Sequence, residues 1–377
     1  MTSVLFVRPN LSQGGADRVT RTLLRALPRD RFTPSLALVS DVGELREGLP
    51  NDVPVHILGG GRASLSGGRL ARTVEQLRPD VVFSTSGGTN LPTILAVEAT
   101  GHRCRVGVSE RNVLFHGGMT PKRAIATAAK RILYPLADVV TAVSDGVAND
   151  LAHELALPRA RVQVVYNPVV TDEVSSGARM PCAHRFFAND EVPVLLGVGR
   201  LVREKGFDVL LRAFARVRRA RRTRLVLLGE GGLRGDLIAL AAALGVQDDV
   251  DLPGFDTNPF KYMARASVFV LSSRHEGLPG ALIQAMACGA PSISTDCPSG
   301  PSEIIEHPGT DGLLVPVDDV DALAAAMERV LQDHALRARL IEGGRRAAAR
   351  FDLSSSLARY MEAIWPGSST TTAGPPS

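Results

Sequence analysis

At 377 residues the chain is long enough for two domains or three, at roughly 100 to 200 residues each, which excludes a small disulfide-stapled module. Hydrophobic residues at 45% and charged residues at 22% match ordinary soluble globular proteins and exclude disordered, collagen-like and low-complexity classes for most of the length. Lys and Arg number 43 against 39 Asp and Glu; a net +4, with aromatics at 5% and Trp365 the single tryptophan, does not indicate nucleic-acid binding.

Met1 is followed by Thr2-Ser3 and at once by an apolar run, so no secretory leader is read. Cys104, Cys182, Cys288 and Cys297 show no CxxC spacing, and reduced thiols and a cytoplasmic address are expected. Charges or glycines break every apolar stretch well short of the roughly 18 residues of a membrane-spanning helix.

In chain order, seven short β-branched runs come first: SVLFV (3–7), PSLALVS (34–40), VPVHIL (53–58), DVVFST (80–85), RVGVS (105–109), DVVTAVS (138–144) and VQVVYN (162–167). Their apolar character is continuous, as in strands buried on both faces of a parallel sheet. Gly15 to Leu27, Leu70 to Leu77 and Pro121 to Leu136 carry apolar positions three and four apart, and the whole reads as β-α-β wiring. The first strand-to-helix turn holds Gln13-Gly14-Gly15, which is either a plain tight turn or a place where backbone amides meet an anion, and its spacing is not GxGxxG. Ser84 to Thr89, including Ser86, and Ser109-Glu110-Arg111-Asn112 follow strands and are expected to line a cleft. The helix from Pro121 sets Lys122, Arg123, Lys130 and Arg131 beside Ile125, Ile132, Leu133 and Tyr134; it is either a half-buried helix with solvated cations or a surface for an anionic membrane.

After Asn167-Pro168 the pattern breaks, and residues 169–192 read as an interdomain connection between a first domain at 1–168 and a second at 193–350. The second series is PVLLGVG (193–199), TRLVLLG (223–229), DVDLPG (249–254), SVFVLSS (267–273), PSISTD (291–296) and GLLVPV (312–317). Two doubly wound α/β domains in tandem imply a ligand crevice outside the carboxyl ends of their strands. At one such end, Gly199-Arg200 and Lys205-Gly206 put a guanidinium and an ammonium on a loop entering a helix, which reads as a phosphate site, with solvated loop charge as the alternative. Seven arginines from Arg212 to Arg224 read as the exposed face of the next helix. Gly229 and Gly254-Phe255 close two more strands. In the densest stretch, Ser272 to Gly289, Glu276 stands before Gly277-Leu278-Pro279-Gly280 at the mouth of an apolar helix, with Gln284 inside it. Helical segments from Val320 end in a 367–377 tail whose composition cannot pack.

These residues carry a resemblance. GGADRV, GRLVREKGFDVLL, LVLLGEGGLRGDL, HEGLPGALIQAMACGAPSIST, DCPSGPSEII and DGLLVPVDD together resemble the retaining glycosyltransferases of family 4, across nearly the whole chain. The resemblance implies a GT-B fold, two Rossmann-like domains facing a central cleft, with a closing helix at 351–366 crossing back to the first. It implies transfer of a hexose or N-acetylhexosamine from a nucleotide diphosphate donor, UDP-linked, to a glycan or lipid-linked acceptor in cell-surface polysaccharide biosynthesis, with peripheral association at the inner membrane face. By the same resemblance, Arg200 and Lys205 hold the donor diphosphate, Gly14 and Gly15 close over it, Glu276 meets the donor sugar and Gly254-Phe255 meets the base. Gln284 falls where the family's second carboxylate binds ribose; an amide keeps an acceptor oxygen but loses the charge-assisted bond. Ser86, Glu110, Arg111 and Asn112 fall on the acceptor side, where many members have a histidine that this chain lacks. No Asp-x-Asp motif occurs, so metal-independent transfer without a cofactor is expected. A sugar-nucleotide epimerase, a catalytically silent partner subunit and an NAD-dependent dehydrogenase are the rival readings.

Overall fold

The computed structural model describes residues 1–12, 14–59, 66–114, 120–188 and 191–366, and divides into two compact units, one of Met1–Pro168 joined by the stretch from Leu353, the other of Val169–Asp352. Gln13 of the glycine turn and the 367–377 tail, expected to be disordered, lie outside the described residues.

In the first unit, β1 (Thr2–Arg8), β2 (Phe32–Leu38), β3 (Val55–Ile57), β4 (Val81–Ser84), β5 (Arg105–Glu110), β6 (Val139–Ala142) and β7 (Val162–Val164) form a parallel sheet in the order β3-β2-β1-β4-β5-β6-β7. The helices are α1 (Gly15–Ala26), α2 (Gly67–Leu77), α3 (Gly87–Thr100), α4 (Pro121–Leu133) and α5 (Asp145–Leu155). All four residues of β4 and of β6 are buried, which accounts for runs that do not alternate. Val19, Leu23 and Leu24 of α1 join Phe6, Phe32 and Leu36 in one core, the helical spacing turning one face onto the sheet.

The second unit repeats the plan with β8 (Val194–Val198), β9 (Arg224–Leu228), β10 (Val250–Gly254), β11 (Val268–Leu271), β12 (Ser292–Thr295) and β13 (Leu313–Val315), again parallel, in the order β10-β9-β8-β11-β12-β13. Around them run α6 (Asp172–Arg179), α7 (Phe207–Ala220), α8 (Arg234–Ala243), α9 (Phe260–Met263), α10 (Gly280–Ala287), α11 (Pro301–Ile304), α12 (Val320–Gln332) and α13 (His334–Ala349). Both orders reverse direction at the first strand, so each sheet has a switch point, β1/β4 and β8/β11, where the loops leave in opposite directions and open a crevice.

One expectation changes here. Residues 169–192 are not a free connection but part of the second unit: the Asn258 amide donates to Gly177 O of α6 at 3.0 Å, and Val169 and Val170 both donate to Phe351 O at 3.0 Å. The sequence there breaks its period because it forms one short helix and a ring cluster of His184, Phe187 and Tyr262, which has no repeat. The arginine run is exposed, as expected, at Arg212, Arg216, Arg219 and Arg222, and partly buried at Arg218, Arg221 and Arg224. Arg216 pairs with Asp321, Arg218 with Asp249 at 2.6 Å, Arg221 donates to Leu331 O at 2.9 Å, and Arg224 lies 4.8 Å from the Phe186 ring centroid.

The last helix, α14 (Leu353–Ile364), returns to the first unit. Its Tyr360 is fully buried, meets Phe83 edge-on at 6.3 Å between centroids, and donates to Asn167 Oδ1 at 3.2 Å.

Candidate functional site

The strand ends around the β8/β11 switch point are tied to each other by their backbones. Gly199 N donates to Leu228 O, Leu201 N to Glu230 O and Gly229 N to Gly254 O, each at 2.9 Å. Gly229 sits at φ +140°, and a Cβ there would stand 1.9 Å from Gly199 O, so only glycine lets the two loops approach. Beyond β8 the chain makes a short turn, Arg203–Lys205, closed by Gly206 at φ +61°. Arg200 is exposed, and Lys205 is partly buried with its side chain turned inward.

That side chain meets the end of β11. Glu276 is 8% exposed, and its Oε1 accepts from Lys205 Nζ at 2.5 Å and from Ser273 Oγ at 2.6 Å. The cation and the hydroxyl both lie on one oxygen of this buried carboxylate, which leaves the other oxygen available. Next to it, burial and then the Glu276 charge push the Cys297 thiol up to about 12, so it is a neutral wall of the site and not a nucleophile.

From Glu276 the chain runs through the buried Gly277, Leu278 and Pro279 into α10 at Gly280. Ser299 Oγ donates to Gly277 O at 2.9 Å, and Gly300, at φ +92°, packs against Pro279, which fixes the angle at which α10 enters. Leu282, Ile283, Ala285 and Met286 of α10 are buried, while Gln284 is half-buried with no side-chain hydrogen bond among the described residues. Gly199, Arg200, Lys205, Gly229, Gly254, Phe255, Glu276 and the start of α10 therefore share the carboxyl edge of one sheet, as the sequence leads one to expect. The amides that open α10 and the side chains of Arg200 and Lys205 thus lie on one edge, a combination of the kind that suits an anion.

The carboxyl edge of the first sheet is built differently. Gly14 has an ordinary extended backbone and donates to Asp17 Oδ2 at 3.3 Å, and a side chain at Gly15 would meet open space. Asp17 is ion-paired with Arg8 at the end of β1, and Arg8 Nη1 donates to Thr85 O at 2.7 Å. Burial pushes the Asp17 carboxyl up and the Arg8 guanidinium down, each opposed by the other's charge. Arg111 also reaches this cluster, Nε donating to Thr85 O at 2.8 Å and Nη1 to Asn167 Oδ1 at 2.9 Å. Arg8 and Asp17 escape a reading of the sequence, although a charge ending an otherwise apolar strand was the available signal.

Glu110, expected on the acceptor side, is buried at the end of β5, 5% exposed. Its Oε1 accepts from Lys130 Nζ at 2.6 Å, from Asn90 Nδ2 at 3.3 Å and from the hydroxyl of Tyr134. Burial, then the Glu110 charge, hold that phenol well above its usual value, so it remains a donor. Of the other candidates on this edge, Ser86 is half-buried at the start of α3 and Asn112 is exposed. Among the described residues no group of three His, Cys, Asp or Glu side chains is placed to hold a metal.

Residues 184–347 match the family described as glycosyl transferases group 1, and residues 13–173 match glycosyltransferase family 4. The chain is 30% identical, over 91% of its own length and 94% of the relative's, to the N-acetylgalactosamine-N,N'-diacetylbacillosaminyl-diphospho-undecaprenol 4-alpha-N-acetylgalactosaminyltransferase of Campylobacter jejuni. A lipopolysaccharide core biosynthesis glycosyltransferase of Rhizobium meliloti is 39% identical over 41% of this chain and 44% of that protein. Among solved structures, Anabaena HepE in complex with UDP and glucose superposes with a TM-score of 0.80 at 19% identity, covering 96% of this chain and 99% of the other.

Proposed function

We infer the reaction from the premise that this chain belongs to the group 1 glycosyl transferases and is a glycosyltransferase of GT-B fold. It moves a hexose or N-acetylhexosamine from a UDP-linked donor to a glycan or lipid-linked acceptor in cell-surface polysaccharide biosynthesis. The observation that carries this is the contact of Lys205 and Ser273 with Glu276 at the β8/β11 switch point, beside exposed Arg200 and the amides that open α10. Two relatives support the substrate class: one is named for transfer onto a diphospho-undecaprenol-linked sugar, the other for lipopolysaccharide core synthesis.

Departure of the nucleotide places charge on the β-phosphate, and what lowers that barrier is a set of donors already aimed at it. Arg200 offers a planar fork, and Lys205 has three N–H groups, so it bonds Glu276 with one and a phosphate oxygen with another. Glu276 Oε2 is left to accept from a hydroxyl of the donor sugar. With cations in place of a metal, and the departing phosphate taking the acceptor proton, transfer proceeds with retention and without a divalent ion. UDP sugars should raise the melting temperature where NAD does not, and transfer should keep its full rate in EDTA; a melt moved only by NAD, or strict magnesium dependence, would count against this reading.

Gln284→Glu adds a charged acceptor facing the ribose. Exchanging a neutral for a charge-assisted bond is worth about 1 kcal/mol, so the donor KM is expected to fall roughly fivefold. An unchanged KM would separate Gln284 from the donor.

The acceptor's lipid fixes where the enzyme works. Along α4 the outward stripe is apolar, with Ile125 72% and Ile132 71% exposed, continued by exposed Leu136 and, on α3, Leu95. Arg131 is exposed beside it. No helix of the described residues is long and apolar enough to cross a membrane. An apolar stripe with Arg131 beside it fits the surface of an anionic bilayer, on its cytoplasmic side. Co-sedimentation with phosphatidylglycerol vesicles is expected, weakened by salt and lost in Ile125→Asp/Ile132→Asp; binding that ignores both changes would place the membrane face elsewhere.

A further inference from the structure

The turn that presents Lys205 is held by three successive carbonyls. Arg203 O accepts from Arg274 Nη1 at 2.8 Å, Glu204 O from Arg274 N at 2.7 Å, and Lys205 O from Ser272 Oγ at 2.9 Å. Gly206 then passes so close to the end of β11 that a Cβ would stand 2.0 Å from Ser272 O. Three carbonyls in a row satisfied from one strand end is a fixed joint, where an exposed loop would leave them to water.

Arg274 is the part of the joint that reaches furthest. Its Nη1 and Nη2 hold Asp208 Oδ1 and Oδ2 at 2.9 and 2.7 Å, in the first turn of α7, and its Nε holds Asp318 Oδ1 at 2.7 Å. Asp318 adopts φ +60°, the left-handed backbone that Asp tolerates better than most non-glycine residues. One guanidinium thus ties the loop after β8, the start of α7 and the loop after β13 to a point two residues before Glu276. Lys cannot replace it, since three donors on one nitrogen do not span two carboxylates and a carbonyl.

We propose that Arg274 is a positioning residue that sets Lys205 against Glu276 before the donor arrives, so that the ammonium meets the diphosphate without reorganising. This rests on the reading of Lys205 as a diphosphate ligand. Arg274 acts through Lys205 and not on the substrate itself, and a displacement of the order of 1 Å at such a group can cost up to about a hundredfold.

The test is a double-mutant cycle read by titrating the protein with UDP in a calorimeter. Lys205→Ala is expected to weaken UDP binding by roughly tenfold or more, and Arg274→Ala by roughly tenfold, with Arg274→Lys close to Arg274→Ala. In the Lys205→Ala background, Arg274→Ala should then add less than about twofold, because the group it positions is gone. A purely structural role would give the same loss in both backgrounds, and that result overturns the proposal while leaving the donor reading intact. Unaltered protein that fails to bind UDP, or a Lys205→Ala variant that binds it as well as the parent, overturns the donor reading and the inference with it. Should Arg274→Ala not fold, Asp208→Asn loosens the same anchor from its far side and is read by the same cycle, with a smaller loss expected in the parent and none in the Lys205→Ala background.

Discussion

Replacing Lys205 with alanine is expected to lower kcat/KM for the donor by about two to three orders of magnitude, the scale seen when a donor aimed at developing charge is removed. Two effects add. The diphosphate loses a cation, and Glu276, 8% exposed, loses its counter-charge and keeps only the Ser273 hydroxyl at 2.6 Å. A buried carboxylate without its partner then repels the phosphates it stood beside. Most of the loss should fall on kcat, because the charge that Lys205 meets grows as the nucleotide leaves. Arg200→Ala should cost less, on the order of tenfold, since its guanidinium is exposed and screened by water. Initial rates with a UDP sugar, and a thermal melt to show that each variant folds, check both values. A Lys205→Ala enzyme within about threefold of the parent would remove Lys205 from the reacting site.

The second unit's candidate site was legible because its residues are near neighbours in sequence. Arg200 and Lys205 follow one strand, Ser273, Glu276 and Gln284 follow another, and the rule that ligands meet parallel sheets at strand carboxyl ends joins the two. The strands were legible for a related reason: a strand buried on both faces is a continuous apolar run, and β4 and β6 are buried throughout. What could not be read depends on pairing across long separations. Arg8, Thr85, Arg111, Asn167 and Tyr360 converge from five separate segments, and no local pattern announces that Arg111 will bond Asn167.

The helix α4 shows a different limit. Its sequence has apolar and basic positions in alternation around the helix, which fixes that it has two faces but not which one turns inward. Lys130, which a hydropathy reading assigns to solvent, points in to Glu110, while Ile125 and Ile132 point out. The inversion follows from a buried carboxylate that needs a cation, and that need comes from β5, outside the helix. It leaves the membrane reading resting on the isoleucines and Arg131 rather than on the count of basic residues.

Glu110 therefore supports a prediction opposite in kind to that for Lys205: a large loss of stability with little loss of chemistry. Its side chain is 6% exposed and that of Lys130 12%, so Glu110→Ala strands an ammonium away from water and takes an acceptor from Tyr134 and Asn90. Breaking one side of such a pair costs about 3–5 kcal/mol. For a domain of this size that is a fall of roughly 10 °C in melting temperature, measurable by circular dichroism. Removing the ammonium as well, in Glu110→Gln/Lys130→Met, should recover much of the loss, because a neutral pair of similar volume leaves no charge to solvate. At a temperature well below either melt, the acceptor KM should stay within about twofold of the parent in both variants. The reverse pattern, an unchanged melt with a raised acceptor KM, would return Glu110 to the acceptor-binding surface, and would require the α4 segment to swing Lys130 away from it when acceptor binds.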